Sequence, residues 1–363
     1  IAIEPRELQG RVTLGGVNLG AGALLLRHNE FHWSAAIPIA PDGSFRAPLW
    51  QDGKYSYTIQ TPSLPTPFSA LMELDGAPVE IEIPDGRITG TVRDAATGAP
   101  LAGATVALQT NTGTAEQHVR TATDAAGKFD FVGMKYARHT VRISLPAYLD
   151  PQPLRFELDG DNRLRTFDVA LDRGRTVPLL VIDANDDPVD EATVYAMAGG
   201  RVCARVTTDE DGRTEIAVPQ RGDATLFVIP PDGAFAVARV AREHSGGRMR
   251  VYLPRAASSL SIRAQTTAGA DMPPFSLLMR YNGVLVPLEV SEELSVTLGH
   301  RLTTGRTSEV ELDRIPSGSY EFWPYRTEDE ATAIVESGDG FTAPIQVNVR
   351  TGENKIAVKF TTR

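Results

Sequence analysis

Two imidazoles and a carboxylate lie within five residues at His28-Asn29-Glu30-Phe31-His32. Imidazole nitrogen and carboxylate oxygen are zinc-type ligands, so His28, Glu30 and His32 are the best local metal candidates in the chain. In a strand, residues i and i+4 share a face but stand about 13 Å apart, so one ion could join them only across a turn. The metalloprotease helix motif needs Glu directly after its first His, and Asn29 occupies that place. The other histidines, His118, His139, His244 and His300, are scattered. No Gly-x-Ser-x-Gly elbow is present to raise a serine nucleophile. Cys203, the single cysteine, sits among Val202, Ala204 and Val206 in an extended pattern, which predicts a packed thiol rather than a nucleophile. The sequence therefore predicts no catalytic residue, no cofactor and no enzyme.

Two acidic runs, Asp183/Asp186/Asp187 and Asp209/Glu210/Asp211, lack the alternating oxygen spacing and the distal bidentate Glu of an EF-hand loop. They read better as turns, where an Asp side chain accepts from its own backbone. Arg221-Gly222-Asp223 has the form of an adhesion tripeptide, but it coincides with a recurring turn. A binding surface is expected in the last quarter of the chain. In Tyr320-Glu321-Phe322-Trp323-Pro324-Tyr325, alternation sends Tyr320 and Phe322 inward and turns Trp323 and Tyr325 outward. Exposed aromatics can stack on a sugar ring or anchor a protein. His300 and Arg301, in an insertion at 282–308, are expected to join Trp323 and Tyr325 in that site.

The elements that must carry these groups are extended. Three turns align: Ala40-Pro41-Asp42-Gly43-Ser44-Phe45, Asp124-Ala125-Ala126-Gly127-Lys128-Phe129 and Asp209-Glu210-Asp211-Gly212-Arg213-Thr214. Their glycines are 84 and 85 residues apart. A second landmark follows each, at Gly53-Lys54-Tyr55, Ala137-Arg138-His139 and Gly222-Asp223-Ala224, and recurs at Gly318-Ser319-Tyr320. Opening strands are read at 8–14, 87–93, 176–183 and 259–265, and closing strands at 79–83, 164–171, 248–253 and 345–349. Within a unit, Ile88, Gly90 and Val92 alternate with Arg87, Thr89 and Thr91, and no long segment carries a 3.6-residue stripe. The expected fold is all-β, a tandem array of Ig-like or transthyretin-like seven-stranded Greek-key β-sandwiches. Domains are expected at 1–85, 86–173, 174–255 and 256–363, with short linkers, modest contacts between neighbours and some hinge motion.

Composition narrows the role. The formal charge of -10 and the lack of a Lys/Arg block argue against nucleic acid as a partner. One cysteine leaves no internal disulfide framework, and no apolar run is long enough to span a bilayer.

The second unit carries a family resemblance. Gly86-Arg87-Ile88-Thr89-Gly90-Thr91-Val92-Arg93-Asp94, then Thr97-Gly98-Ala99-Pro100-Leu101-Ala102-Gly103-Ala104-Thr105-Val106, then Thr123-Asp124-Ala125-Ala126-Gly127-Lys128-Phe129-Asp130-Phe131 resembles the carboxypeptidase regulatory-like domain. That family has a transthyretin-like (prealbumin-like) sandwich and overlaps with Cna-B repeats. The third unit resembles it through Val181-Ile182-Asp183, Pro188-Val189 and the Thr208-Asp209 turn. The resemblance implies a non-catalytic module of bacterial envelope or secreted proteins. With the fourfold repeat and no catalytic constellation, the expected role is an extracytoplasmic (periplasmic, cell-surface or secreted) multi-domain spacer and binding protein that contacts protein or glycan at the cell surface through loops of the terminal units. Two alternatives stand beside it: the regulatory region of a larger envelope peptidase or outer-membrane receptor, and a carbohydrate-binding module using the aromatics of the last unit.

Overall fold

Four times along the chain, an opening strand pairs in parallel with the strand that closes its segment. The pairs are Arg6–Leu14 with Val79–Ile83, Gly86–Asp94 with Leu164–Leu171, Arg175–Ile182 with Met249–Tyr252, and Ser258–Thr266 with Glu353–Phe360. These come from a computed structural model that describes residues 5–30, 32–64, 67–111, 116–244, 247–255, 258–266, 275–297, 309–337 and 344–360. On the other edge of each opening strand lies an antiparallel one: Ser44–Leu49, Lys128–Met134, Arg213–Val218 and Glu309–Ile315.

The remaining four strands of each segment make a second sheet. In the first segment its order is Ser34–Ile39, Gly22–His28, Gly53–Gln60, Phe68–Leu74. In the second it is Glu116–Ala122, Thr105–Asn111, Arg138–Ser144, Leu154–Glu157. The third runs Arg201–Thr207, Thr193–Ala198, Ala224–Ile229, Ala236–Val240, and the fourth Val284–Leu285, Ser276–Tyr281, Gly318–Tyr325, Ile345–Val349. Each segment is thus a sandwich of a three-stranded and a four-stranded sheet, with one small extra strand, Val17–Asn18, at the edge of the first. Strand alternation builds the cores: Ile88 and Val92 point inward from Gly86–Asp94, and Phe129 and Phe131 from Lys128–Met134.

The sequence repeat has a physical cause at its glycines. Gly43, Gly127 and Gly212 take φ of +82°, +71° and +68°, a left-handed conformation costly for other residues. An added Cβ would lie 2.5, 2.4 and 2.5 Å from the carbonyl oxygens of Val12, Val92 and Val181. The N–H groups of those same valines donate back to the three glycine carbonyls, each at 2.8 Å. Each turn therefore clips its hairpin to the opening strand, and a side chain has no room there.

The second landmark is a side chain that bonds to the carbonyl four residues earlier. Tyr55 donates its hydroxyl to Gln51 O at 2.6 Å and Tyr320 to Pro316 O at 2.7 Å. His139 Nε2 lies 2.9 Å from Lys135 O. A carbonyl only accepts, so Nε2 carries the proton and Nδ1 accepts from Thr110 Oγ1 at 3.0 Å. All three are buried polar side chains whose bonds close a corner between strands.

The strands fall into two compact units. One comprises residues 1–145 and 151–172, the other 146–150 and 173–363. In the first unit the linker residue Asp85 accepts from the Tyr136 hydroxyl and, at 2.9 Å, from Arg163 Nη1. These bonds hold its carboxyl below the usual range, the Tyr136 bond contributing most. In the second unit the third and fourth sandwiches share one apolar core. Tyr195, Met197, Phe227 and Ile229 project from the third's four-stranded sheet into a cluster with Phe275, Leu277, Met279, Tyr320 and Phe322 of the fourth. The opposite face of that sheet carries Val194, Ala196, Leu226 and Val228 into the third sandwich's own core.

This corrects the expectation of modest contacts and hinge motion for this pair. The strands Thr193–Ala198 and Ala224–Ile229 are apolar on both faces, the mark of a sheet covered on both sides.

The last sandwich departs from the all-strand reading in two places. Helix α1, Leu288–Thr297, buries Val290 and Leu294 in the shared core. Helix α2, Glu328–Ser337, packs Ile334 on the outer side of the adjacent sheet. Thr327 Oγ1 accepts from Glu330 N at 3.2 Å, while the Glu330 carboxylate accepts from Arg326 N at 2.6 Å. Thr327-Glu328-Asp329-Glu330 is thus a capping-box signal visible in the sequence. The fourth sandwich closes on Glu353–Phe360, whereas Ile345–Val349, expected to close it, is the edge strand beside Gly318–Tyr325. Among the described residues no helix is long and apolar enough to cross a membrane, which leaves strand-built spans open.

Candidate binding site

The expected aromatic surface is reorganised by α2. Trp323 does point away from Tyr320 and Phe322, as alternation requires, but it is only 3 % exposed. Trp323 packs with Leu278 and Ile334, and Leu288, Tyr325 and Val335 lie against that cluster. The Arg280 guanidinium sits 4.7 Å from the Trp323 ring centre and pairs with Glu321 at 2.7 Å. The outward reading of Trp323 is corrected: a second apolar layer exists there because a helix covers the sheet. Tyr325 is half-buried. His300 and Arg301 lie outside the described residues.

The metal candidates do not converge. His28 is buried, its ring edge-on to Tyr55 at 4.7 Å, and its Nδ1 accepts from Glu30 N at 3.0 Å. That bond occupies a lone pair an ion would need, while Glu30 and His32 are exposed. Among the described residues no group of three His, Cys, Asp or Glu side chains is placed to hold a metal.

The acidic runs are turns. Asp183 Oδ1 accepts from Asn185 N at 2.7 Å and Asp187 N at 2.9 Å, and these backbone bonds hold its carboxyl below the usual range. Asp209 Oδ1 accepts from Asp211 N and Arg213 N at 3.0 and 2.8 Å. In the Arg221-Gly222-Asp223 turn, the Asp223 carboxylate is engaged by Arg239 and by Arg242 N at 2.9 Å.

Cys203 is buried, donates to Ala196 O at 3.3 Å, and burial pushes its thiol up to about 11. An alkylating reagent at pH 8 is expected to leave Cys203 unlabelled in the folded chain and to label it fully in denaturant. Rapid labelling of folded protein would make it a reactive thiol after all.

Asp150 lies beside this strand. Its N–H donates to Cys203 O at 2.7 Å, and desolvation pushes its carboxyl up to about 7. The folded state keeps a proton that the unfolded chain releases near 4, so stability falls as pH rises from about 4 to 7. The loss is on the order of 3–4 kcal/mol at most. Asp150→Asn is therefore expected to raise the melting temperature at pH 8 and to leave it nearly unchanged at pH 4. Equal effects at the two pH values would refute the assignment.

The second unit also holds a cleft of about 350 Å³ that sequence reasoning missed. The third sandwich lines it with Thr225, the successive residues from Phe235 to Arg239, Tyr252 and Pro254, and the fourth with Tyr281, Asn282 and Val284. Two of the lining residues meet edge to face, Phe235 against Tyr281 at 5.3 Å. Asn282 and Gly283, at φ of 47° and 81°, form the two-residue turn between paired Tyr281 and Val284. The Asn-Gly dipeptide was the sequence signal for this hairpin wall.

Residues 87–172 match the family model of the carboxypeptidase regulatory-like domain. The matched residues are those of the second sandwich. No curated protein matches the chain in sequence. Solved structures similar to it include the TIE protein of Bacillus anthracis, 12% identical over 94% of this chain and 69% of that one, TM-score 0.23. A streptococcal ancillary pilin is 11% identical over 69% of this chain and 99% of its own, TM-score 0.25. BcpA, the major pilin subunit of Bacillus cereus, is 12% identical over 77% and 99%, TM-score 0.21. At these scores the similarities carry no argument about function.

Within the regulatory-like domain the polar groups are committed to structure. Thr123 Oγ1 donates to Leu101 O at 2.6 Å and accepts from Ala104 N at 2.9 Å. Thr208 in the third sandwich repeats both bonds, to Val189 O and from Ala192 N, at 2.7 and 2.9 Å. His139 is desolvated and its pKa is lowered. It is the domain's one fully enclosed imidazole among the described residues, and both its nitrogens are bonded within the fold.

Proposed function

We propose that this chain is a non-catalytic, extracytoplasmic structural and binding protein of a bacterial envelope, with modules bordered near residues 85, 173 and 255. One observation carries the reading: in a fourfold array of sandwiches, the groups that could do chemistry are spent on the fold. His139 closes a corner, Cys203 is enclosed, and the Asp residues of the repeat bind their own turns. The match of the second sandwich to a regulatory-like domain supports the same reading, and equally supports a place in a longer chain beside a catalytic or receptor domain.

The test is location. In intact source cells, antibody against this chain and externally added protease are expected to reach it, or to reach it once the outer membrane is permeabilised. Recovery in the cytoplasmic fraction alone would overturn the proposal. Turnover of a peptide or glycoside substrate by the purified chain, lost on one point substitution, would overturn its non-catalytic part.

A further inference from the structure

We propose that the cleft beside Ala236–Val240 receives an extended peptide segment of a partner protein, which adds to the third sandwich as a strand. The inference rests on the binding-protein reading and names its partner class. Side chains of a strand alternate between faces, so a lining that takes in every residue from Phe235 to Arg239 includes the strand's edge, while Thr225, paired with Arg239 on the next strand, carries the cleft onto the adjoining sheet face. That edge is open: Ala236–Val240 pairs only with Ala224–Ile229 among the described strands. Its outward N–H and C=O groups therefore line the cleft as a main-chain template.

The cleft differs from a bare sheet edge in having opposite walls. Val284 and Asn282 stand across from the strand, and Tyr252, 55 % exposed, offers a ring at the mouth. The walls come from two sandwiches joined through one core, so they are held in place before anything binds. A volume of about 350 Å³ suits a few residues of extended chain. The lining contains one formal charge, Arg239, and no carboxylate. Asp223 engages only part of the Arg239 fork, and the Arg239 side chain is 75% exposed. The chemistry selects an extended segment with apolar side chains at alternate positions and an acidic side chain at the Arg239 end.

The test uses a phage-displayed random heptapeptide library panned on the intact chain, followed by synthesis of the enriched peptide in N-acetylated form. Enriched peptides are expected to alternate apolar residues and to carry Asp or Glu at one end. Their binding should slow hydrogen exchange at residues 236–240. Arg239→Glu, at an exposed position, is expected to weaken binding at least tenfold at the parent melting temperature. Val284→Arg, which fills the opposite wall but removes a side chain packed against the shared core, is expected to abolish binding while lowering the melting temperature. No enrichment, protection elsewhere, or binding untouched by both variants overturns the proposal. A glycan from an array that binds here, and is lost with Val284→Arg, while no peptide does, overturns it in favour of carbohydrate. Any of these failures leaves the envelope location standing, and a cytoplasmic location would leave a peptide result standing.

Discussion

Gly127→Val is expected to destabilise the regulatory-like domain by about 3–5 kcal/mol, while the same change at Gly98 costs only about 1–2 kcal/mol. The two glycines share nearly the same backbone angle, φ of +71° and +70°. Both therefore impose the left-handed penalty on a β-branched side chain. They differ in space. A Cβ at Gly127 meets the Val92 carbonyl oxygen at 2.4 Å, with Leu101 N and Pro100 Cβ at 3.1 and 3.2 Å, whereas at Gly98 nothing lies within 4 Å. The Val92 carbonyl belongs to the central opening strand, and the adjacent N–H is bonded to Gly127 O at 2.8 Å, so relief must break the clip. Denaturant unfolding of the two variants measures the difference. Equal costs would show that conformation alone, not the close approach, demands glycine there. Gly212 should behave as Gly127 does, because its angle and contacts match, and Gly43 should follow through the Val12 carbonyl oxygen at 2.5 Å alone.

Phe227→Ala is expected to cost about 3–5 kcal/mol and to weaken the fourth sandwich although the residue belongs to the third. Phe227 is fully buried and stacks on Phe235 at 5.1 Å within the cluster that includes Val290 and Leu294 of α1. Polar contacts guard the same junction: Glu293 of α1 lies 3.1 Å from the Tyr195 hydroxyl and 3.0 Å from Arg205 Nη2. In the parent chain, exchange at Ala224–Ile229 and at Gly318–Tyr325 should report one common opening free energy. In Phe227→Ala both should exchange faster and at separate rates. Unchanged exchange in Gly318–Tyr325 would mean that the two sandwiches fold independently.

Much of this architecture was legible because it is local. A positive φ at Gly43, Gly127 and Gly212 and a period of two along Gly86–Asp94 are properties of a few neighbouring residues. They gave the all-β fold class of tandem sandwiches. The helices were missed for a different reason. Each spans ten residues, and Val290 and Leu294 supply too short a stripe to stand out, although the Thr327-to-Glu330 capping box marked the second. The closing strand of the fourth sandwich was misplaced because α2 displaces the late strands along the chain, and both late segments alternate.

The candidate site was less legible still. Alternation correctly put Trp323 on the face opposite Phe322, yet whether that face meets water depends on an element beginning at Glu328 that folds back over it. The pairing of His28 with Glu30 N and the exposure of His32 likewise depend on how one hairpin turns.

By itself the sequence determined the repeat, the strands and the turns, since backbone sterics and side-chain alternation act over neighbouring residues. Only the tertiary structure decided which sheet faces are covered, that the third and fourth sandwiches share a core, and that an open strand edge borders a cleft. Those outcomes are set by apolar surface seeking burial against whatever segment reaches it, and that partner can lie a hundred residues away, as Phe227 and Phe322 do.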